Sequence, residues 1–101
     1  MSQKYEVHYL PVAQQDLINI LNYIKQDNPT AANKLIQEID EVISRLEEFP
    51  NMGVTPKNLH LKSLNYKMLV INNYLVFYVI KDCIIDIRRI VHGKRKYSFI
   101  L

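Results

Sequence analysis

The spacing of hydrophobic residues changes once along this chain, and that change limits what it can fold into. Between residues 11 and 49 apolar side chains recur every three to four positions, the repeat of a helix face. Between residues 66 and 91 they form short runs rich in Ile, Val, Tyr and Phe, as strands do. Ahead of both lies KYEVHYL (4–10), where Tyr5, Val7 and Tyr9 alternate with Lys4, Glu6 and His8, the pattern of a half-buried strand. Pro11 stops that strand and suits the first turn of a helix. Ala13, Leu17, Ile20, Leu21 and Ile24 then make one stripe on a helix of about four turns. Pro29 biases Asn28 away from helical angles, and an Asn cap followed by Pro starts a second helix. Its stripe runs Ala32, Leu35, Ile36, Ile39, Val42, Ile43, Leu46, Phe49. Lys34, Glu38, Glu41, Arg45 and Glu48 face outward, and Pro50 closes it. A turn this short makes the two helices an antiparallel hairpin.

Residues 51–65 show no sustained period and are expected to form a loop. The runs 66–71 and 74–81 are separated by Asn72-Asn73. Asn tolerates positive φ, so a two-residue hairpin turn is expected there. A second tight turn near Lys81-Asp82-Cys83 leads into 84–91. The expected fold is α+β: an N-terminal strand, an α-helical hairpin, then a three-stranded antiparallel meander, with the helices packed on one face of the sheet. A length of 101 residues with 49% hydrophobic content suits a single domain spanning 1–101.

Several function classes drop out on composition. No apolar run approaches the roughly 18 residues of a membrane span, and MSQKYEVHYLPV lacks the apolar core of a signal peptide. The lone Cys83 makes no internal disulfide, so a cytoplasmic setting is expected. The only glycines are Gly53 and Gly93, which rules out a Gly-rich phosphate loop. His8, His60, His92 and Cys83 do not fall at metal-ligand spacings, and no Ser, Cys or Thr has a nucleophile context; no cofactor or metal is expected.

Charge is more informative. Residues 1–50 carry four bases against eight acids, a balance of −4, and residues 51–101 carry nine against two, a balance of +7. The basic half attracts polyanions or an acidic protein segment, although such asymmetry also serves solubility alone. Its densest stretch is His92-Gly93-Lys94-Arg95-Lys96-Tyr97, preceded by Arg88 and Arg89, which strand alternation sends to opposite faces. Such a group could cleave RNA through the neighbouring 2′-hydroxyl without a metal. His92 would transfer protons. Arg95, Lys94 or Lys67 would stabilise the phosphorane, and Tyr97 would donate a proton or stack on a base. Arg89, Lys94 and Lys96 are the further candidates for contact with a target or polyanion. A solvated basic end, or a dock for an acidic partner, accounts for the same residues.

Five motifs occur in order: Ala13-x-x-Asp16-Leu17-x-x-Ile20-x-x-Tyr23, Phe49-Pro50-x-x-Gly53, Leu64-Asn65-Tyr66-Lys67, Tyr74-x-x-Phe77-Tyr78 and Arg89-Ile90-Val91-His92-x-x-Arg95. In this arrangement the chain resembles the RelE/ParE superfamily of type II toxins over nearly its whole length. The resemblance implies a growth inhibitor, neutralised in a toxin–antitoxin hetero-oligomer by a cognate antitoxin whose extended, acidic C-terminal segment wraps it. RelE-like members cut mRNA in the ribosomal A site, using several basic residues and a tail tyrosine; ParE-like members inhibit DNA gyrase. Leu69 stands where a second lysine of the first meander strand would fall in the nucleases, and Leu75 where an arginine after the hairpin turn would fall. Lys67, Arg95 and Tyr97 match. The resemblance therefore favours the ParE side. A ribosome-dependent mRNA endonuclease is the alternative, and a non-toxic binding module or co-repressor is a third possibility.

Overall fold

The computed structural model describes residues 4–94 of the chain. Strand β1 (Glu6–Tyr9) leads into helix α1 (Pro11–Lys25), and helix α2 (Pro29–Ser44) continues into a 3-10 turn at Arg45–Glu47. A short helix α3 (Leu59–Ser63) precedes β2 (Lys67–Ile71), β3 (Tyr74–Lys81) and β4 (Ile84–His92). The four strands form one sheet in the order β1-β4-β3-β2. The expected α+β fold, with its strand, helix hairpin and meander, is the fold observed.

Local chemistry accounts for the boundaries. Asn28 caps α2 through its Oδ1, which accepts from the Ala31 N–H at 3.1 Å, with Pro29 directly behind it. The β2–β3 and β3–β4 turns contain Asn72 at φ 53° and Asp82 at φ 57°, the residue types that enter the left-handed region most readily. The first Asn of the pair takes the positive φ, as its side chain permits.

The helix hairpin covers one face of the sheet. Ala13 from α1, together with Leu35, Ile39 and Ile43 from α2, packs against Leu69, Ile71, Val76, Tyr78, Ile85, Ile87 and Ile90. Each fully buried aliphatic side chain contributes about 1.5–3 kcal/mol relative to exposure. Tyr5, Val7 and Tyr9 join the same core from the sheet margin, the face their alternation assigned to them.

Two details depart from the sequence expectations. Residues 51–65 are not all loop: Asn58 Oδ1 accepts from the Leu61 N–H at 3.0 Å and starts α3. Val54 also bridges to Met68 at the outer edge of β2. This segment buries Leu61 and Tyr66 against Phe77 and Val91, and so covers the second face of the sheet. Phe49 leaves the α2 stripe and is 60% exposed, because the 3-10 turn advances three residues per turn and swings later positions off the face. The sequence leaves open which strand β1 joins. In the fold β1 runs parallel to β4, with Glu6–Tyr9 opposite Ile84–Ile87.

Candidate functional site

Beyond Ile87 the strand β1 has ended, because Leu10 N–H bonds to Ile87 O and Pro11 turns the chain into α1. The outer edge of β4 would therefore carry unpaired backbone groups. Asp16 of α1 takes the place of the missing strand: its Oδ2 accepts from the Ile90 N–H at 2.9 Å. The same carboxylate holds Arg89, with Nε at 2.8 Å and a second guanidinium nitrogen at 3.1 Å. Both side chains are largely buried, at 14% and 12% exposure. The paired geometry is the planar fork-to-carboxylate arrangement that guanidinium favours. Arg89, a candidate for target contact, is thus engaged by α1.

A break in the β3–β4 register separates it from Arg88. Phe77 faces Arg89 while Tyr78 faces Ile87, so Arg88 is the extra residue of a bulge. Its guanidinium lies 5.6 Å from the centroid of the Tyr66 ring, on the α3 side. The two arginines do part company, by a bulge rather than by simple alternation.

At the end of β4 the His92 ring meets Tyr74 edge-on, with centroids 5.4 Å apart and planes at 80°. The Lys94 N–H donates to His92 Nδ1 at 3.2 Å, so in this arrangement the neutral ring carries its proton on Nε2. Gly93 N–H donates to Asn73 O at 2.7 Å, which ties the end of β4 to the β2–β3 turn. Tyr74, His92 and Ile90 line an open cleft of about 460 Å³, whose other wall is Asp16, Asn19 and Tyr23 of α1. Burial, and secondarily the nearby Tyr23, raises the pKa of the Tyr74 phenol, which keeps it a neutral donor. The cleft thus has an aromatic rim, a tethered imidazole and a carboxylate already engaged by Arg89.

Lys67 is elsewhere. It pairs with Tyr78, and His92 pairs with Tyr74, so the two lie four residues along and two strands across the sheet. At about 3.3 Å per residue and about 4.8 Å per strand, their backbones are about 16 Å apart. Leu69 is buried under the helices, whereas Leu75 packs on the opposite face with Val91 and Phe77. Arg95, Lys96 and Tyr97 lie outside the described residues. Of the candidates, the structure groups His92 with Lys94, and sets Lys67 and Arg89 apart from them. The sequence reading did not anticipate the tie between Asp16 and Arg89. Asp16 stood in the first-helix motif, but a partner 73 positions away leaves no mark on local spacing.

The fold, a sheet backed by an antiparallel helix hairpin, is shared with solved structures. The chain aligns with a structure titled "Chromosomal ParDE TA system from P. aeruginosa" at a TM-score of 0.77 and 20% identity, covering 92% of this chain and 100% of that one. A toxin–antitoxin complex, RelBE2 from Mycobacterium tuberculosis, aligns at a TM-score of 0.62 and 19% identity, covering 88% and 98%. No curated protein matches the chain by sequence. The family described as "ParE toxin of type II toxin-antitoxin system, parDE" matches residues 7–97. The chain belongs to this ParE toxin family and is a toxin of the type II class. Among the described residues no helix is long and apolar enough to cross a membrane.

Proposed function

We propose that this toxin arrests growth by binding DNA gyrase in the cytoplasm, and that a cognate antitoxin with an extended acidic segment neutralises it. The observation that carries this reading is the separation of about 16 Å between the backbones of Lys67 and His92. A nuclease that stabilises one phosphorane needs its proton-transfer group and its cations converging on that phosphate, within hydrogen-bond reach. Here one candidate cation lies at the far end of the sheet, a second is held by Asp16, and Leu69 and Leu75 stand at two further positions. Inhibition by binding makes no such demand. The −4/+7 division of charge supports an acidic antitoxin segment.

Induction of the chain alone in bacteria, with transcript 5′ ends mapped within minutes, tests this reading. Growth arrest with intact transcripts, a DNA-damage response and loss of supercoiling by purified gyrase is the expected result. New 5′ ends at codon-defined positions would overturn it in favour of the mRNA endonuclease. Harmless expression at high level would favour a binding module or co-repressor.

A further inference from the structure

From Phe49 to Lys81 the chain contains no Asp or Glu, although Lys57, His60, Lys62, Lys67 and Lys81 all fall within that run. Part of it folds over the sheet face away from the helix hairpin, where Leu61 and Tyr66 pack on Phe77 and Val91. Lys57, His60 and Lys62 are exposed on and just before α3, and Arg88 reaches the same region by lying over Tyr66. Beside Tyr66, Lys62 and Lys67 share a depression of about 290 Å³ with Thr55 and Asn65. Lys62, Thr55 and Asn65 bring it an ammonium, a hydroxyl and a carboxamide, and Lys67, which pairs with Tyr78 on the hairpin side of the sheet, borders it at the start of β2. The acids that strand pairing puts on this face are Asp86, opposite Val79, and Glu6, opposite Ile84 at the far margin of the sheet. Exposed acids gather on the other layer, at Asp40, Glu41 and Glu48.

We propose that the α3 face is a polyanion site separate from the basic strand end, and that its ligand is the phosphodiester backbone of duplex DNA. A depression lined by two lysines, a hydroxyl and an amide suits one phosphate, while Lys57, His60 and Arg88 extend the positive field to its neighbours. The division of charge between the two layers orients the molecule, turning α2 and its acids away from the helix. The choice of DNA over RNA rests on the gyrase reading: an inhibitor held on DNA by sequence-independent contacts meets an enzyme that works on DNA. Leu59, 80% exposed, and Leu64 stand beside the same cations and are what an acidic protein partner would use, so the test carries an acidic polypeptide as its second probe.

The experiment is fluorescence anisotropy of a labelled random-sequence duplex with the full chain freed of its antitoxin, titrated over a range of salt. Poly-glutamate is the competing probe. The wild-type chain is expected to bind the duplex with a strong salt dependence. Lys62→Ala/Lys67→Ala, checked for an unchanged unfolding temperature, is expected to weaken binding about tenfold and to reduce the log–log salt slope by about 2. Arg95→Ala/Lys96→Ala is expected to leave that loss in place when the two pairs are combined. Unchanged duplex binding in the Lys62/Lys67 variant overturns the proposal. Tighter binding of poly-glutamate than of duplex at equal salt also overturns it, and assigns the face to an acidic protein. A supercoiling assay on the same preparations separates the two readings: gyrase inhibition without DNA binding removes only the site, and DNA binding without gyrase inhibition removes only the target.

Discussion

Asp16 concentrates three contacts in one carboxylate: two from the Arg89 guanidinium and one from the Ile90 N–H at the open edge of β4. Removing one partner of a buried pair costs more than the pair contributes, because the charge left behind loses its compensation. Asp16→Ala is therefore expected to lower stability by about 3 kcal/mol, read as a lower denaturant midpoint at unchanged slope. Asp16→Asn, which keeps an acceptor for Ile90 N–H, should lose less. The tyrosines give a second expectation. Burial raises the phenol pKa of Tyr9, Tyr74 and Tyr78 above 10.0, and at Tyr9 the hydrogen bond its hydroxyl donates to Asp40 adds to the effect. A raised pKa means that the native state holds these protons while the unfolded chain releases them. Their stabilisation is complete below pH 10 and is lost as pH rises through the native values. Thermal unfolding followed across pH 8–12 should show no tyrosine-linked loss at the acid end of that range and a steep decline above about pH 10.

Elements differ in how openly the sequence declares them. The stripes of α1 and α2, the Asn28-Pro29 junction and the strand-rich runs of β2, β3 and β4 are local patterns, and the structure follows them closely. α3 was missed because five residues are too few for a periodic stripe to appear; Asn58 three positions ahead of Leu61 was its one signal. The bulge at Arg88 and the parallel pairing of β1 with β4 depend on which strands meet, information that alternation within a strand does not contain. The same limit applied to the candidate site: charge density singled out the strand end, but register decided that Lys67 lies elsewhere. The two Asn caps make the contrast between elements testable. Either substitution by Ala costs about 1 kcal/mol in principle. In Asn28→Ala the loss should spread through α2 and the main core as a lower global stability. In Asn58→Ala it should stay local, with faster amide exchange at residues 59–66 well before global unfolding, since α3 seals a smaller cluster of its own.

On the scale of the whole molecule, the sheet acts as a partition that assigns its two faces to different work. One face is filled by the helix hairpin, and the other is sealed by α3 and left basic. The two leucines that distinguish this chain from the nuclease pattern fall on opposite sides of that partition. A simple exchange of side chains should therefore not convert one activity into the other. Leu69, 7% exposed beneath the hairpin, has no route to solvent for an ammonium group. Leu69→Lys should cost more than about 3 kcal/mol, as burial of an uncompensated charge does. Leu75 is half-buried on the other face, near the Asn73 and Gly93 backbone, where a long side chain can carry its charge outward. Leu75→Arg should fold with a loss of less than about 1.5 kcal/mol. Neither variant, nor the two combined, should cut transcripts when induced alone, because the added cations would be separated by the sheet from each other and by distance from a common phosphate. Mapping 5′ ends in the Leu75→Arg strain is the sharper of the two measurements, since that variant should remain folded. New cleavage there would mean that the active surface assembles from residues on both faces of the partition, and that strand register does not keep them apart.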